Sequence, residues 1–251
     1  MPALHFLGTG SACTDAWRTT TMLAFEHPGS VIVIDCGGDL VQRLQQALLP
    51  LDQISTLILT HEHPDHVAGF PLMMQKLWLG GRLDPLPVRG IAPALTQARK
   101  CFAAFDTSGW AGLPEVHWLE FPHAADTLVL EADPWRVTAT PSLHGVPSVA
   151  LRIEHLPTGG VCVYSSDTAL STDIARFAHG ADILIHEASG SFPGHSTAID
   201  AARIAATARV GALHLVHLPP EAELDSTHLA TARQIFANTF KAVELGKIDY
   251  P

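Results

Sequence analysis

Four apolar runs of strand length break off at residue types able to hold a metal ion, and this repeated pattern restricts the chain more than any other feature. The runs are residues 56–60 before His61, 161–164 before Asp167, 183–185 before His186, and 213–216 before His217. Strands that end together set their next residues along one rim, where open α/β sheets build their sites. One such run would mean little; four predict polar chemistry gathered at one edge of a mixed α/β fold.

The other elements are consistent with that class. Residues 4–7, 22–25 and 31–34 read as short strands, and 39–49 carry Leu40, Val41, Leu44, Ala47 and Leu48 on one helical face. Pro93 opens a second helix with Leu95, Ala98, Phe102 and Phe105 at helical spacing. Strands are expected at 116–119, 128–130, 135–140, 149–153 and 161–164. Thr197 and Asp200 have capping-box spacing ahead of an Ala-rich helix closed by Gly211, and Leu229, Ala232, Ile235 and Phe236 mark a last helix. No linker, repeat or low-complexity stretch interrupts the sequence, so residues 1–251 are expected to form a single domain. Its two strand-and-helix halves predict two sheets packed face to face with helices outside, a four-layer αββα sandwich.

Composition excludes several function classes. A formal net charge of -10 at pH 7 disfavours broad attraction to nucleic acid, which depends on many Lys and Arg reaching phosphates. Cys13, Cys36, Cys101 and Cys162 lack the spacing of a disulfide framework, so a reducing, cytoplasmic setting is expected. No apolar run approaches the ~20 residues of a membrane helix, and Met1 leads directly into a strand instead of an export signal; no membrane partner is expected. Histidine is the unusual component, with 15 residues against 15 for Lys and Arg together.

The strongest local signal is His61-Glu62-His63-Pro64-Asp65-His66. In an extended segment His61 and His63 point the same way, so both imidazoles can reach one ion at ~2.0–2.1 Å. Pro64 then bends the chain, and Asp65 and His66 can face a second ion ~3.5–4 Å from the first. His144, between Pro141 and Gly145 in an exposed loop, can add a third nitrogen to the first ion. Asp167 has two oxygens and can bridge both ions, and His217 completes the second set. A solvated His-rich turn is the competing reading, and the spacing weighs against it.

This arrangement resembles the metallo-β-lactamase superfamily over nearly the whole chain, from Phe6-Leu7-Gly8-Thr9-Gly10 to Leu213-His214-Leu215-Val216-His217. The resemblance implies His61, His63 and His144 on one zinc, Asp65, His66 and His217 on the other, and Asp167 on both. Nitrogen and oxygen ligands suit zinc and would also accept manganese or iron. The segments His186-Glu187-Ala188-Ser189 and His195-Ser196-Thr197 look like the H-E-A-T and H-S-T motifs of ribonuclease Z and its phosphodiesterase relatives. By that likeness His195 donates a proton to the leaving oxygen, Glu187 orients it, and Asp65 accepts the proton of the attacking water. Alternatively, Glu187 and His195 merely tie two loops together. His186 reads as structural.

Other residues take ordinary readings. His5, His27, His117, His123, His155, His179, His214 and His228 are expected at the surface or packed; Met73, Met74, Trp78, Trp110 and Phe192 are candidates for lining a substrate pocket, with the apolar core the expected place of most of them.

Two ions outweigh two carboxylates and a bridging hydroxide, which favours a small anionic substrate, including a nucleotide or short RNA. The leading expectation is a dinuclear metal-dependent hydrolase, a phosphodiesterase using a metal-bridging hydroxide on small phosphodiesters. Alternatives are 3′ tRNA processing, carboxylic ester or lactone hydrolysis, and a non-catalytic metal- or nucleotide-binding module. The chain departs from ribonuclease Z where tRNA binds. Only a short stretch separates His144 from Asp167, where many such enzymes carry a long arm; Arg18-Thr19 replaces Arg-Asn, and Leu218-Pro219-Pro220 follows His217 instead of Ser-x-Arg. The resemblance also implies a homodimer.

Overall fold

The computed structural model describes residues 2–13, 16–220 and 226–250, which divide into two compact units. The first comprises Met1–Gly8, Thr20–Pro122 and Glu244–Tyr250. Its sheet contains β1 (Ala3–Gly8), β2 (Met22–His27), β3 (Ser30–Ile34), β4 (Ile54–Leu59), β5 (Leu86–Gly90), β6 (Val116–Glu120) and β14 (Lys247–Asp249), in the order β14-β1-β2-β3-β4-β5-β6. Pairing is antiparallel from β14 to β3 and parallel from β3 to β6. Every residue of β1 is buried, as a strand covered on both faces requires, whereas the edge strand β6 is largely open.

Crossovers in this unit carry α1 (Leu40–Gln46), α2 (Pro64–Val67), α3 (Phe70–Leu79) and α4 (Ala92–Ala103). Helix α1 starts where Asp39 accepts a hydrogen bond from Gln42 N, and it stops sooner than its apolar spacing predicts. Ala47 is its C-cap, and Leu48 stands 89% exposed at φ 58 instead of extending the buried face. Helix α4 likewise ends before Phe105, which is exposed. Helix α3 has no counterpart among the sequence expectations, although Phe70, Met73, Met74 and Leu77 bury the i, i+3, i+4, i+7 face of an amphipathic helix. Met73 and Met74 are core as expected. Trp78 and Trp110 are instead half-buried and stacked on each other, with ring centroids 4.9 Å apart and planes inclined by 4°.

The second unit comprises Thr9–Thr19 and His123–Val243. Its strands are β7 (Thr127–Ala132), β8 (Trp135–Pro141), β9 (Val149–His155), β10 (Gly160–Tyr164), β11 (Ile183–Glu187), β12 (Ala212–Val216) and β13 (Thr239–Lys241), in the order β13-β12-β11-β10-β9-β8-β7. The β10-to-β13 portion is parallel and the β7-to-β10 portion antiparallel. A short turn, residues 156–159, joins β9 to β10. Helices α5 (Thr172–Phe177), α6 (Ala198–Ala208) and α7 (Ser226–Ile235) complete the unit. Ala201, Ala202, Ala205 and Ala208 of α6 share one core with Val163, Leu184 and Leu213 of the sheet. Alanines let that helix lie close, and a full capping box of Thr197 and Asp200 starts it.

Two boundaries differ from expectation. Helix α6 closes on Arg209 in the left-handed region, φ 55, not on Gly211. Gly211 is needed for a different reason: a Cβ there would lie 2.6 Å from the Asp182 carbonyl oxygen. Strand β11 also runs on through His186 and Glu187, so the two side chains project from opposite faces of the sheet. Among the described residues no helix is long and apolar enough to cross a membrane.

Candidate functional site

In the first unit, parallel strands β3 and β4 end side by side, and the residues after them build one cluster. Asp35 follows β3 in the left-handed region at φ 61, a conformation that costs a non-glycine residue about 1–3 kcal/mol and persists where surrounding contacts hold it. Those contacts are visible. The buried carboxylate accepts hydrogen bonds from Thr60 N at 2.9 Å, from Thr60 Oγ1 at 2.9 Å and from His66 Nδ1 at 2.8 Å. With Nδ1–H committed to Asp35, the His66 ring presents Nε2, which lies 3.5 Å from Asp65 Oδ2.

His61, wholly buried, has Nδ1 3.1 Å from Thr60 Oγ1 and Nε2 3.2 Å from His63 Nδ1. Two nitrogens bound tetrahedrally to one ion at ~2.0–2.1 Å sit about 3.3 Å apart, so this pair has the spacing of a shared ion. The extended His63 and Pro64 at the start of α2 give the bend that brings Asp65 and His66 beside them. Close packing secures the turn. Gly37 has no room for a side chain, because a Cβ would overlap the Asp65 backbone carbonyl, and Cys36 exchanges backbone hydrogen bonds with His66 and Gly69. Burial pushes the Cys36 thiol pKa well up, which leaves it inert as a nucleophile beside this cluster.

The second unit repeats the device with β10, β11 and β12. Ser166, φ 51, precedes Asp167, and His217, φ 51, follows β12 directly; His217 Nε2 lies 3.4 Å from Asp167 Oδ2. His144 donates through Nδ1 to Gly194 O at 2.9 Å, which leaves Nε2 as the ring atom able to ligate an ion. Gly194 permits this approach, since a Cβ at its position would lie 3.1 Å from His144 Nδ1.

Glu187, at the end of β11, is fully buried and accepts from Thr168 N at 2.8 Å, Ser189 N at 3.2 Å, Ser189 Oγ at 2.7 Å and His195 Nδ1 at 2.9 Å. His195 stacks on His217, with centroids 5.7 Å apart and planes 6° from parallel, and meets the His144 ring edge-on at 4.9 Å. Ligand atoms of Glu187, His195 and His217 all lie within 4.8 Å of one another. His186 stays apart from this group: it is buried, its Nδ1–H donates to the Glu187 carbonyl at 2.8 Å, and burial lowers its pKa.

Each unit thus gathers its own share of the residues singled out from sequence: His61, His63, Asp65 and His66 in the first, and His144, Asp167, Glu187, His195 and His217 in the second. Sequence reading missed Asp35, Thr60, Thr168 and Ser189, which orient them. For Asp35 a signal existed, because Ile34-Asp35-Cys36-Gly37-Gly38 is another strand that breaks off at a carboxylate.

Comparison with known proteins agrees with this chemistry. A family model described as a beta-lactamase superfamily domain matches residues 31–218. Ribonuclease Z of Methanothermobacter thermautotrophicus is 27% identical over 307 aligned positions, covering 99% of this chain and 97% of the relative. The metallo-beta-lactamase fold protein YhfI from Bacillus subtilis superposes with a TM-score of 0.83 at 23% identity, covering 99% of this chain and 100% of that one. The short form of human tRNase Z superposes with a TM-score of 0.81 at 20% identity, covering 99% of each chain. The α/β sandwich expected from the sequence is the fold of these structures. With residues 31–218 matched, the chain belongs to the beta-lactamase superfamily: it is a metal-dependent hydrolase of metallo-β-lactamase fold, on the side of the family that resembles ribonuclease Z.

Proposed function

We propose that this hydrolase of phosphodiesters acts on small substrates, nucleotides or short single strands, with His195 as the acid for the leaving group. The observation that carries the reading is the Glu187–His195 pair, 2.9 Å apart and stacked beside His217. A buried carboxylate that fixes Nδ1–H leaves Nε2 to deliver a proton, and it faces the imidazolium charge that this task requires.

Two divalent ions fit the donors present. His61, His63 and His144 would hold one, Asp65, His66 and His217 the other, and Asp167 both. The donor atoms are imidazole nitrogens and carboxylate oxygens only, and His66 and His144 each donate the remaining ring N–H to a carboxylate or carbonyl, as ligating histidines do. Zinc suits such a set, with manganese and iron as its competitors. When bound, such ions supply Lewis acidity and lower the pKa of coordinated water.

The chain's own groups divide the proton work. Asp65 accepts the proton of the attacking water as its oxygen bonds to phosphorus, and His195 Nε2 protonates the departing alkoxide as the other P–O bond breaks. Glu187 and its donors Thr168 and Ser189 keep the His195 ring in register throughout. Asp35 does the same for His66.

A small substrate is favoured over a folded RNA on three grounds. The net charge is -10, a short turn joins β9 to β10, and an alignment of 307 positions against 251 residues leaves more than fifty positions of ribonuclease Z without a counterpart here. Processing of tRNA 3′ ends is the second reading, favoured by the near-full-length likeness to that enzyme. Free cysteines at 13, 36, 101 and 162 suit a reducing cytoplasm, and the homodimer implied by the family is tested by light scattering.

The deciding experiment assays metal-loaded protein on a bis-aryl phosphodiester, a dinucleotide, a precursor tRNA and an aryl carboxylic ester. Turnover of the first two, lost in Asp65→Ala, is expected. His195→Ala should slow dinucleotide cleavage about 10²–10⁴-fold while sparing the aryl phosphodiester, whose leaving group needs no proton. Ester turnover alone would overturn the proposal, and tRNA cleavage that outpaces the dinucleotide would favour the second reading.

A further inference from the structure

In the second unit four segments carry His144, Asp167, Glu187 and His195, and one residue outside that set joins all four. Thr168 is fully buried and follows Asp167 directly. Its N–H donates to Glu187 Oε1 at 2.8 Å, and its carbonyl accepts from Ser196 Oγ at 2.7 Å. Its hydroxyl accepts from Leu143 N at 3.1 Å while donating to the Ala169 carbonyl at 2.9 Å. Leu143 precedes His144 and Ser196 follows His195, so each distant partner is a site residue or its immediate neighbour.

Buried polar groups find partners, and the Ala169 carbonyl alone would satisfy the hydroxyl as a donor. Its lone pair reaches further, to a segment 25 residues away. Packing does little to fix that segment. Leu143 is 58% exposed, and nothing lies within 4 Å of where a Cβ on Gly145 would stand. Hydrogen bonds hold it instead: Leu143 N to Thr168 Oγ1, Ala169 N to the Leu143 carbonyl at 2.8 Å, and Ser142 Oγ to the Asp167 carbonyl at 2.9 Å.

The approach to His195 is held in the same way. Residues 191–193 are exposed, Phe192 at 62% instead of in the core. Ser196 is fully buried and closes this loop, its carbonyl accepting from Gly190 N at 3.0 Å and its hydroxyl reaching the Thr168 carbonyl.

We propose that Thr168 is a positioning residue with two separable outputs. Its hydroxyl fixes the backbone before His144, and so the geometry with which that imidazole meets an ion; its carbonyl, through Ser196, fixes the ring of His195 that delivers the proton. The inference rests on the reading of His144 as a ligand and His195 as the acid, and Thr168 and Ser196 act only through these neighbours.

Two variants divide the outputs. Thr168→Val keeps the branched shape and both backbone bonds but removes the hydroxyl, and Ser196→Ala removes the bond to the Thr168 carbonyl. Zinc affinity is read by chelator competition. Proton delivery is read as the ratio of dinucleotide to bis-aryl phosphodiester kcat at saturating zinc, because only the dinucleotide's leaving alkoxide needs a proton. It is read independently as the low-field proton resonance of His195 Nδ1–H, identified by its disappearance in His195→Gln.

Thr168→Val is expected to lose about 10–100-fold in zinc affinity, the range for groups that orient ligands, with the ratio and the resonance as in wild type. Thr168→Ser should recover the affinity. Ser196→Ala should keep the affinity but lower the ratio by as much as about 10²-fold, the cost of a reacting group misplaced by roughly an ångström, and shift the resonance. If a buried methyl facing Leu143 N prevents folding, Thr168→Ala tests the same bond with a smaller side chain.

A residue that merely supports the fold would move affinity and ratio together. Any pattern other than the crossed one, whether both readouts lost in one variant or neither lost, overturns the proposal. If neither diester is turned over, the phosphodiesterase reading fails, while zinc affinity and the His195 resonance still decide this one. Absence of zinc binding to wild type overturns it.

Discussion

Asp35 shows how much of the proposed metal cluster is positioned by a residue outside the proposed ligand set. Its carboxylate holds His66 by Nδ1 and Thr60 by both N–H and hydroxyl, and Thr60 Oγ1 in turn meets His61 Nδ1 at 3.1 Å, so one buried group orients two imidazoles. Replacing Asp35 by Asn keeps the shape but gives one side of the group a donor facing donors. Orienting partners of this kind are worth about 10–100-fold in metal affinity, and Asp35→Asn is expected to lose that much in a chelator competition, with little change in far-ultraviolet circular dichroism. Unchanged affinity would mean that packing alone holds the rings. The proposed ligands His61, His63, Asp65 and His66 could be singled out in the sequence because they are neighbours along the chain. Asp35 was not, since its partner His66 lies 31 residues away and only the fold brings the two together.

At the scale of elements, the strand ends decide what the site residues can do. Asp35, Ser166 and His217 all stand at positive φ within two residues of a parallel strand, where the chain must turn sharply off the sheet. Glu187 differs in that its strand carries it to the site directly. Helix α6 then begins three residues after His195, with Thr197 at its N-cap. Thr197→Ala removes the side-chain acceptor for Asp200 N and should cost about 0.5–2 kcal/mol in urea denaturation. Because the same residue anchors the loop that holds His195, dinucleotide turnover should fall as well, by less than in His195→Ala. A stability loss with no change in turnover would show that the Glu187 hydrogen bond alone positions the ring. Apolar runs and the capping box made most strands and α6 readable. Helix boundaries were less so: α1 stops before Leu48 and α6 before Gly211, since chain reversal and the close approach of Gly211 to Asp182, not periodicity, set where they end.

Over the whole molecule, the histidines outside the site have a shared consequence for stability. His5 in the first unit and His186 and His214 in the second all have pKa values lowered from the ordinary 6.5, in each case chiefly because burial disfavours the charged ring. For His5 and His186, neighbouring carboxylates or a backbone hydrogen bond offset part of that shift without reversing it. Below about pH 6.5 the unfolded chain therefore takes up protons that the folded chain refuses, so unfolding gains free energy as the pH falls. The stability these groups contribute is complete above that pH and declines through the window from 6.5 down to their lowered values. Bound metal would add its own proton linkage in the same range, so the measurement belongs on chelator-treated protein. Its urea midpoint should be lower at pH 5.5 than at pH 7.5. His214 stacks on Phe240 at 5.2 Å and can be replaced by a ring that does not titrate. His214→Phe should reduce the difference between the two midpoints, and combining it with His5→Gln should reduce it further. If the double variant retains the full acid-side loss, His186 or the histidines of the candidate site must account for it, and the additional variant His186→Phe, unable to make the bond to the Glu187 carbonyl, separates those two sources.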